Sequence, residues 1–180
     1  MLKTVEEMHR TQLGQLRVLG IDCQTRGIAV VSLYREDSAH KCIWLPIRGR
    51  KTGARLANIY FVLEKAIAGS SPPLPIIYIE RPPYVKNYIT LLRLAQVQGT
   101  IIASFTARGF TVKEIDPPAW KLAVTGNGNA SKEQVKTLMM MRLGLKDNFP
   151  QDIYDAASIA LAGLIKEKWR LRTNPEDDRC

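Results

Sequence analysis

The chain has 180 residues, room for one compact domain with a short appendage at roughly 100 to 200 residues per domain. With 46% hydrophobic and 24% charged residues, it is neither disordered nor fibrous, and a chain of this size buries about 70% of its unfolded surface around one core. Subtracting 17 acids from 26 bases leaves +9, a field that draws in polyanions and makes nucleic acid a reasonable partner, although a basic balance alone proves none.

Residues 1–16 are polar with scattered Leu and Met, lack the continuous apolar stretch of a secretion signal, and read as a leader or arm. Arg17-Val-Leu-Gly-Ile-Asp22 then runs apolar into an acid, and Ile28 to Tyr34 is β-branched again, which predicts a hairpin. A third extended segment over about His40 to Ile47 makes three successive antiparallel strands. The period changes after Lys51: Leu56, Ile59, Tyr60, Leu63 and Ile67 recur at helical spacing until Gly69 to Pro73 ends the run.

Pro75-Ile-Ile-Tyr-Ile-Glu80 is a short buried strand, again finishing in an acid, and Pro82-Pro83 forbids its continuation. Leu91 to Phe105 predicts a helix of about twenty residues. Gly99 within it costs about 1 kcal/mol relative to Ala, so it implies close packing, either inside the monomer or against a second helix. Phe110 to Ile115 is a fifth strand, Asp116-Pro-Pro118 starts a short helix, and Ser131 with Gln134 has capping-box spacing for a helix ending near Gly144. A last helix begins near Asp152, with Ile153, Ala157, Ala160, Leu161 and Leu164 on one apolar face. The expected domain spans residues 17–170, followed by a polar tail over 171–180.

Three antiparallel strands followed by alternating strands and helices predict an α/β fold, a mixed five-stranded sheet covered on both faces. No apolar run reaches the roughly 18 residues of a spanning helix, so a soluble, cytoplasmic protein is expected, or one of an organellar matrix. Cys23, Cys42 and Cys180 form no CxxC pair and cannot all pair internally, which argues against a disulfide framework or a cysteine zinc site.

The informative residues are acids. Asp22 ends the first strand and Glu80 the fourth; in a parallel pair both lie at the carboxyl edge of the sheet, where they can face one another. Asp152 and Asp155 are three apart and project from one side of the last helix. Taken singly, each has an ordinary reading as a solvated strand end, a turn residue or a helix-capping acid. Taken together, four converging carboxylates raise one another's pKa and call for cations between them. Hard oxygen ligands suit Mg²⁺ or Mn²⁺. Two such ions about 4 Å apart can clamp an in-line attack on a phosphodiester.

The same order of residues resembles the RuvC family of Holliday junction resolvases, which share the ribonuclease H fold. The likeness covers roughly residues 17 to 166: Leu19-Gly-Ile-Asp22, Ala54-Arg-Leu-Ala-Asn-Ile-Tyr60, Ile79-Glu80 before Lys86-Asn87, and Leu94-Ala-Gln-Val-Gln-Gly99. It continues with Trp120-Lys121 ahead of Gly126-Asn-Gly128, Ser131-Lys-Glu-Gln-Val135, and Asp152-Ile-Tyr-Asp155-Ala-Ala. The resemblance implies an endonuclease that cuts four-way DNA junctions as a homodimer. It implies two Mg²⁺ ions per site, or Mn²⁺ in their place, held by Asp22, Glu80, Asp152 and Asp155, with Asp22 bridging. Lys121 and Lys132 fall at positions like those of basic residues beside the family's scissile phosphate. Arg81, Tyr84 and Lys86 follow Glu80 in a loop suited to phosphates and unstacked bases. The helix containing Gly99 corresponds to the family's dimer contact. Where the family usually follows its first aspartate with Pro-Gly, this chain has Cys23-Gln24, and its leader is longer, which suggests a divergent branch, phage or organellar.

Other readings compete. A ribonuclease H-like enzyme acting on RNA/DNA hybrid or another branched nucleic acid would use an acid on the first helix, where Glu64 stands, and leaves Glu80 without a counterpart. An actin-like ATPase needs two duplicated halves, for which the chain has no room. A junction-binding protein without catalysis is disfavoured by the four intact acids.

Overall fold

The computed structural model describes residues 16–173, apart from residues 35, 38, 68–71 and 83–85. Strands β1 (Val18–Cys23), β2 (Gly27–Leu33) and β3 (Ala39–Pro46) pair antiparallel in succession. Helix α1 (Thr52–Ile67) then crosses to β4 (Ile76–Glu80), which lies parallel to β1, and helix α2 (Tyr88–Thr106) leads to β5 (Val112–Ile115), parallel to β4. The sheet order is β3-β2-β1-β4-β5, so β1 is central. Helices α3 (Pro117–Thr125), α4 (Lys132–Leu143) and α5 (Gln151–Thr173) complete the chain. The predicted mixed five-stranded sheet is therefore the one found.

Local signals account for the boundaries. Asn87 caps α2 by accepting from the Thr90 backbone N–H at 3.1 Å. Ser131 and Gln134 form the predicted reciprocal capping box on α4, at 3.2 and 2.9 Å. Gly126 and Gly144 end α3 and α4 with φ of 75° and 64°, a left-handed turn that glycine enters without steric penalty.

Alternation along the strands divides the core into two layers. Leu19, Ile21, Ile77 and Ile79 face α1 and α2 through Ile59, Leu63, Val97, Ile101 and Phe105. Val18, Ala29, Val31 and Tyr78 face the other way, towards α5. That helix differs from expectation: instead of one apolar stripe, every residue from Ile153 to Leu164 is buried. It lies between the sheet and the pair α3 and α4, so both its faces meet protein. Close approach is possible because of Gly20 on β1, where an added Cβ would lie 2.1 Å from the Ala156 carbonyl oxygen and 2.3 Å from the Ala160 nitrogen. Helix α5 also extends to Thr173, three residues into the segment read as tail; residues 174–180 and the leader over 1–15 lie outside the described residues.

Gly99 does not pack inside the monomer. It is exposed, and an added Cβ there would meet nothing within 4 Å.

Candidate active site

The sheet register builds the site. Ile21 sits opposite Ile79 on parallel strands, so the residues that follow, Asp22 and Glu80, emerge together at the carboxyl edge. Both alternate onto the α5 side, with Gly20 and Tyr78 behind them. Because Gly20 lets α5 rest on the backbone of β1, the first turns of that helix reach the same edge, bringing Asp152 and Asp155 to the two strand-end acids. Glu80, Asp155 and Asp152 all stand near enough to act on the Asp22 carboxyl.

Its electrostatics are those of concentrated, poorly hydrated negative charge. Burial, then Glu80, then Asp155 and Asp152 push the Asp22 carboxyl up to about 8, against a partial opposing effect from the Gln24 hydrogen bond. Burial also raises Glu80 and Asp155 above the usual carboxylate range, with Asp155 adding to the effect at Glu80 and Asp152 at Asp155. Lys121 and Lys132 oppose this at both Glu80 and Asp155. Those two lysines thus stand where they favour the ionised cluster, Lys132 as the exposed first residue of α4 and Lys121 with its ammonium 5.7 Å from the Trp120 ring centre. Cys23, beside the cluster, has its thiol held well above the ordinary value by burial and then by Asp22 and Glu80.

Among the described residues no Lys or Arg lies within ion-pair distance of the four acids. Each instead accepts from an uncharged N–H. Gln24 Nε2 donates to both Asp22 oxygens at 3.2 Å. Trp120 Nε1 donates to Glu80 at 2.7 Å. Gln151 Nε2 donates to Asp155 at 3.1 Å and Trp44 Nε1 to Asp152 at 3.2 Å. Among the described residues, no three acid, histidine or cysteine side chains are already closed around one point. The donor set nonetheless fits a hard divalent cation: only oxygen ligands, an excess of negative charge, and no protein cation paired to it. Asp22, Glu80, Asp152 and Asp155 make up that donor set.

Three of the four N–H donors escape a sequence reading of the site. Gln24 and Gln151 are local to their acids, at two and four residues, and that spacing is the signal that could have found them. Trp44 is 108 residues from Asp152. It belongs to a row across the sheet in which Trp44 pairs with Ala29 and Ala29 with Asp22, and its ring covers Gly27, where a Cβ would fall 2.4 Å from it. Trp120 belongs to a quoted motif, but its bond to Glu80 is visible only in three dimensions.

The loop residues are placed less uniformly. Arg81 lines the cleft beside Asp22 and Glu80 and ion-pairs with Asp116 at 3.0 Å. Lys86 is exposed just before α2. Tyr84 lies outside the described residues. Glu64, the acid of the ribonuclease H-like alternative, ion-pairs with Arg108 on the α1 and α2 layer, across the sheet from the quartet.

The sheet order is that of the ribonuclease H-like fold. The family model described as crossover junction endodeoxyribonuclease RuvC matches residues 18–163, and the chain belongs to that family. The crossover junction endodeoxyribonuclease RuvC of Moorella thermoacetica is 33% identical over 161 residues, covering 86% of this chain and 95% of the relative. That of Chlorobium phaeovibrioides is 36% identical over 155 residues, covering 83% and 81%. The structure described as T. thermophilus RuvC in complex with Holliday junction substrate superimposes with a TM-score of 0.73 at 20% identity, covering 86% of this chain and 96% of that one; at that identity it speaks for the fold.

The Trp120 bond yields a prediction. Trp120→Phe keeps the packing of a nearly fully buried ring but removes the hydrogen bond that lowers the Glu80 pKa. A hydrogen bond to a charged group contributes about 1.5 to 3 kcal/mol, so DNA cleavage at neutral pH should fall roughly tenfold or more, and the acid limb of its pH profile should move to higher pH. Superimposable profiles for the two proteins would show that the bond does not tune Glu80.

Proposed function

We propose that this chain resolves four-way DNA junctions, acting as a homodimer whose two sites nick symmetrically opposed strands by phosphodiester hydrolysis. The observation that carries this reading is that Asp22, Glu80, Asp152 and Asp155 act on one another while, among the described residues, none of them is ion-paired to a protein cation. Divalent ions, Mg²⁺ or Mn²⁺, would supply water activation and stabilisation of the departing oxygen. The chain's own residues do the rest. The four acids would hold the ions; Gln24, Trp120, Gln151 and Trp44 fix their side chains; Lys121 and Lys132 offset charge on the phosphate. Arg81, which lines the cleft, and the exposed Lys86 would contact the DNA backbone.

The outer face of α2 supports the dimer. Tyr88, Leu92, Ala95, Gly99 and Ala103 recur at helical spacing and are all exposed, Tyr88 at 73% and Leu92 at 43%. Phe61 on the adjacent α1 is 63% exposed. A glycine surrounded by open space in such a stripe admits a second helix at close range. The reading as an RNA/DNA-hybrid nuclease loses ground because Glu64 is ion-paired with Arg108 on the other side of the sheet from the remaining acids. Among the described residues no helix is long and apolar enough to cross a membrane.

The test is cleavage of an immobile synthetic four-way junction with and without Mg²⁺, mapping nicks on all strands. Paired nicks at symmetric positions, dependent on the metal, are expected. Preference for an RNA/DNA hybrid, or tight junction binding with no nicking under either metal, would overturn the proposal.

A further inference from the structure

A second cleft opens on the other layer of the molecule, between the start of α1 and the middle of α2. Arg50, Arg55 and Arg93 converge on it, with Thr52 and Gln96 between them. Among the described residues none of these three arginines forms an ion pair, whereas Arg81, Arg108, Arg142 and Arg170 each hold a carboxylate. The first turn of α1 carries no acidic residue either, so its free N–H groups and helix dipole add to the same positive field. Three guanidinium groups lining one concavity repel each other, as four carboxylates do, and the arrangement favours an anion that can accept their paired N–H groups.

The position of this cleft says which anion. Arg55 Nη2 donates to the Thr25 carbonyl, in the turn that follows Gln24, which itself rests on Asp22. Helix α2 walls both sites: Leu94 and Gln98 line the acid cleft, Arg93 and Gln96 the arginine cleft. A strand held at Asp22 that continued over the β1–β2 turn would bring its next phosphates to the guanidinium groups.

We infer that the cleft of Arg50, Arg55 and Arg93 binds a backbone phosphate of the strand being cut, a short distance along from the scissile bond. This rests on the junction-nuclease reading above and adds a binding site to it, on the opposite layer from Lys121 and Lys132. The site grips the strand without reading sequence, because phosphate contacts position DNA and carry no base information.

The experiment measures junction affinity across a salt series for the full chain with Asp22→Asn, which prevents cleavage, and for the same protein with Arg50→Ala, Arg93→Ala or both. Arg50 and Arg93 are exposed, so their truncation leaves the core intact. Each lost phosphate contact should reduce the slope of log affinity against log salt by about 0.9, with Arg93→Lys restoring most of it. Junctions carrying a single methylphosphonate, stepped away from the cut, identify the phosphate. One flanking position should weaken binding to the parent several-fold and leave the double variant indifferent. Unchanged slopes, or a double variant as sensitive as the parent at every position, would overturn the inference while leaving the nuclease reading standing. A parent that binds no branched DNA would sink both.

Discussion

Asp22→Asn should abolish strand cleavage and, with no metal present, make the protein more stable. The substitution removes one charge with little change of shape, and a residue at the centre of the acid cluster is expected to be worth at least about a thousandfold in rate. The stability effect follows from the carboxyl's position. Its value rises from 3.8 to about 8 on folding, so the folded state favours the protonated form. The stability associated with that form is fully present below about pH 4 and is lost as pH rises towards about 8. Above that range the fold carries an unfavourable buried charge, worth about 6 kcal/mol at most. Asparagine carries none. Urea denaturation in a chelator should therefore show the native protein losing stability between pH 5 and pH 8.5, and the variant losing much less. Adding Mg²⁺ should reverse the ranking, because ions bound only to the folded form stabilise it. An Asn variant that nicks normally, or one no more stable than the native protein at pH 8.5, would defeat the assignment of Asp22.

Gly20→Ala should be the most damaging single methyl addition among the described glycines. The new Cβ would stand 2.1 Å from the Ala156 carbonyl oxygen and 2.8 Å from the Ala160 Cα, both backbone atoms of α5 that cannot rotate aside. The helix must shift, at an expected expense of about 3 kcal/mol or more. Because Asp152 and Asp155 ride on that helix, activity should fall even where the variant still folds. Gly99→Ala is the counterpart: its Cβ enters open space, so the monomer gains roughly 1 kcal/mol of helix propensity, and any loss appears as weaker self-association. Melting temperature and sedimentation of both variants separate the two effects. Equal stability of Gly20→Ala and the native protein would mean that α5 does not sit where the site requires.

Much of this was legible before folding. A charged residue closing an otherwise apolar strand is conspicuous, so Asp22 and Glu80 stood out, and the parallel pairing that brings them together follows from the intervening helix. The Ser131 and Gln134 cap was readable because its partners are local. The all-round burial of α5 was not: alanine and glycine carry weak hydropathy, and Ala156, Ala160 and Gly163 signal contact only once the opposing Gly20 and Tyr78 are in place. Trp44 was missed because nothing local ties a strand tryptophan to an acid on the last helix. The arginines at 50, 55 and 93 are spread over more than forty residues, and only the packing of α1 against α2 draws them to one cleft.

The placement of α5 has a consequence for how such a protein can be improved. Its alanines fill the centre of the core while its first turn supplies half of the acids, so heat tolerance and turnover are written into the same stretch of chain. Substitutions that harden this layer will tend to disturb the reaction. Laboratory selection for survival at high temperature should instead accumulate changes on the faces of α1 and α2 that avoid Gly99, the arginine cleft and the residues lining the acid cleft, where packing can be altered without moving either strand end or the aspartates of the last helix.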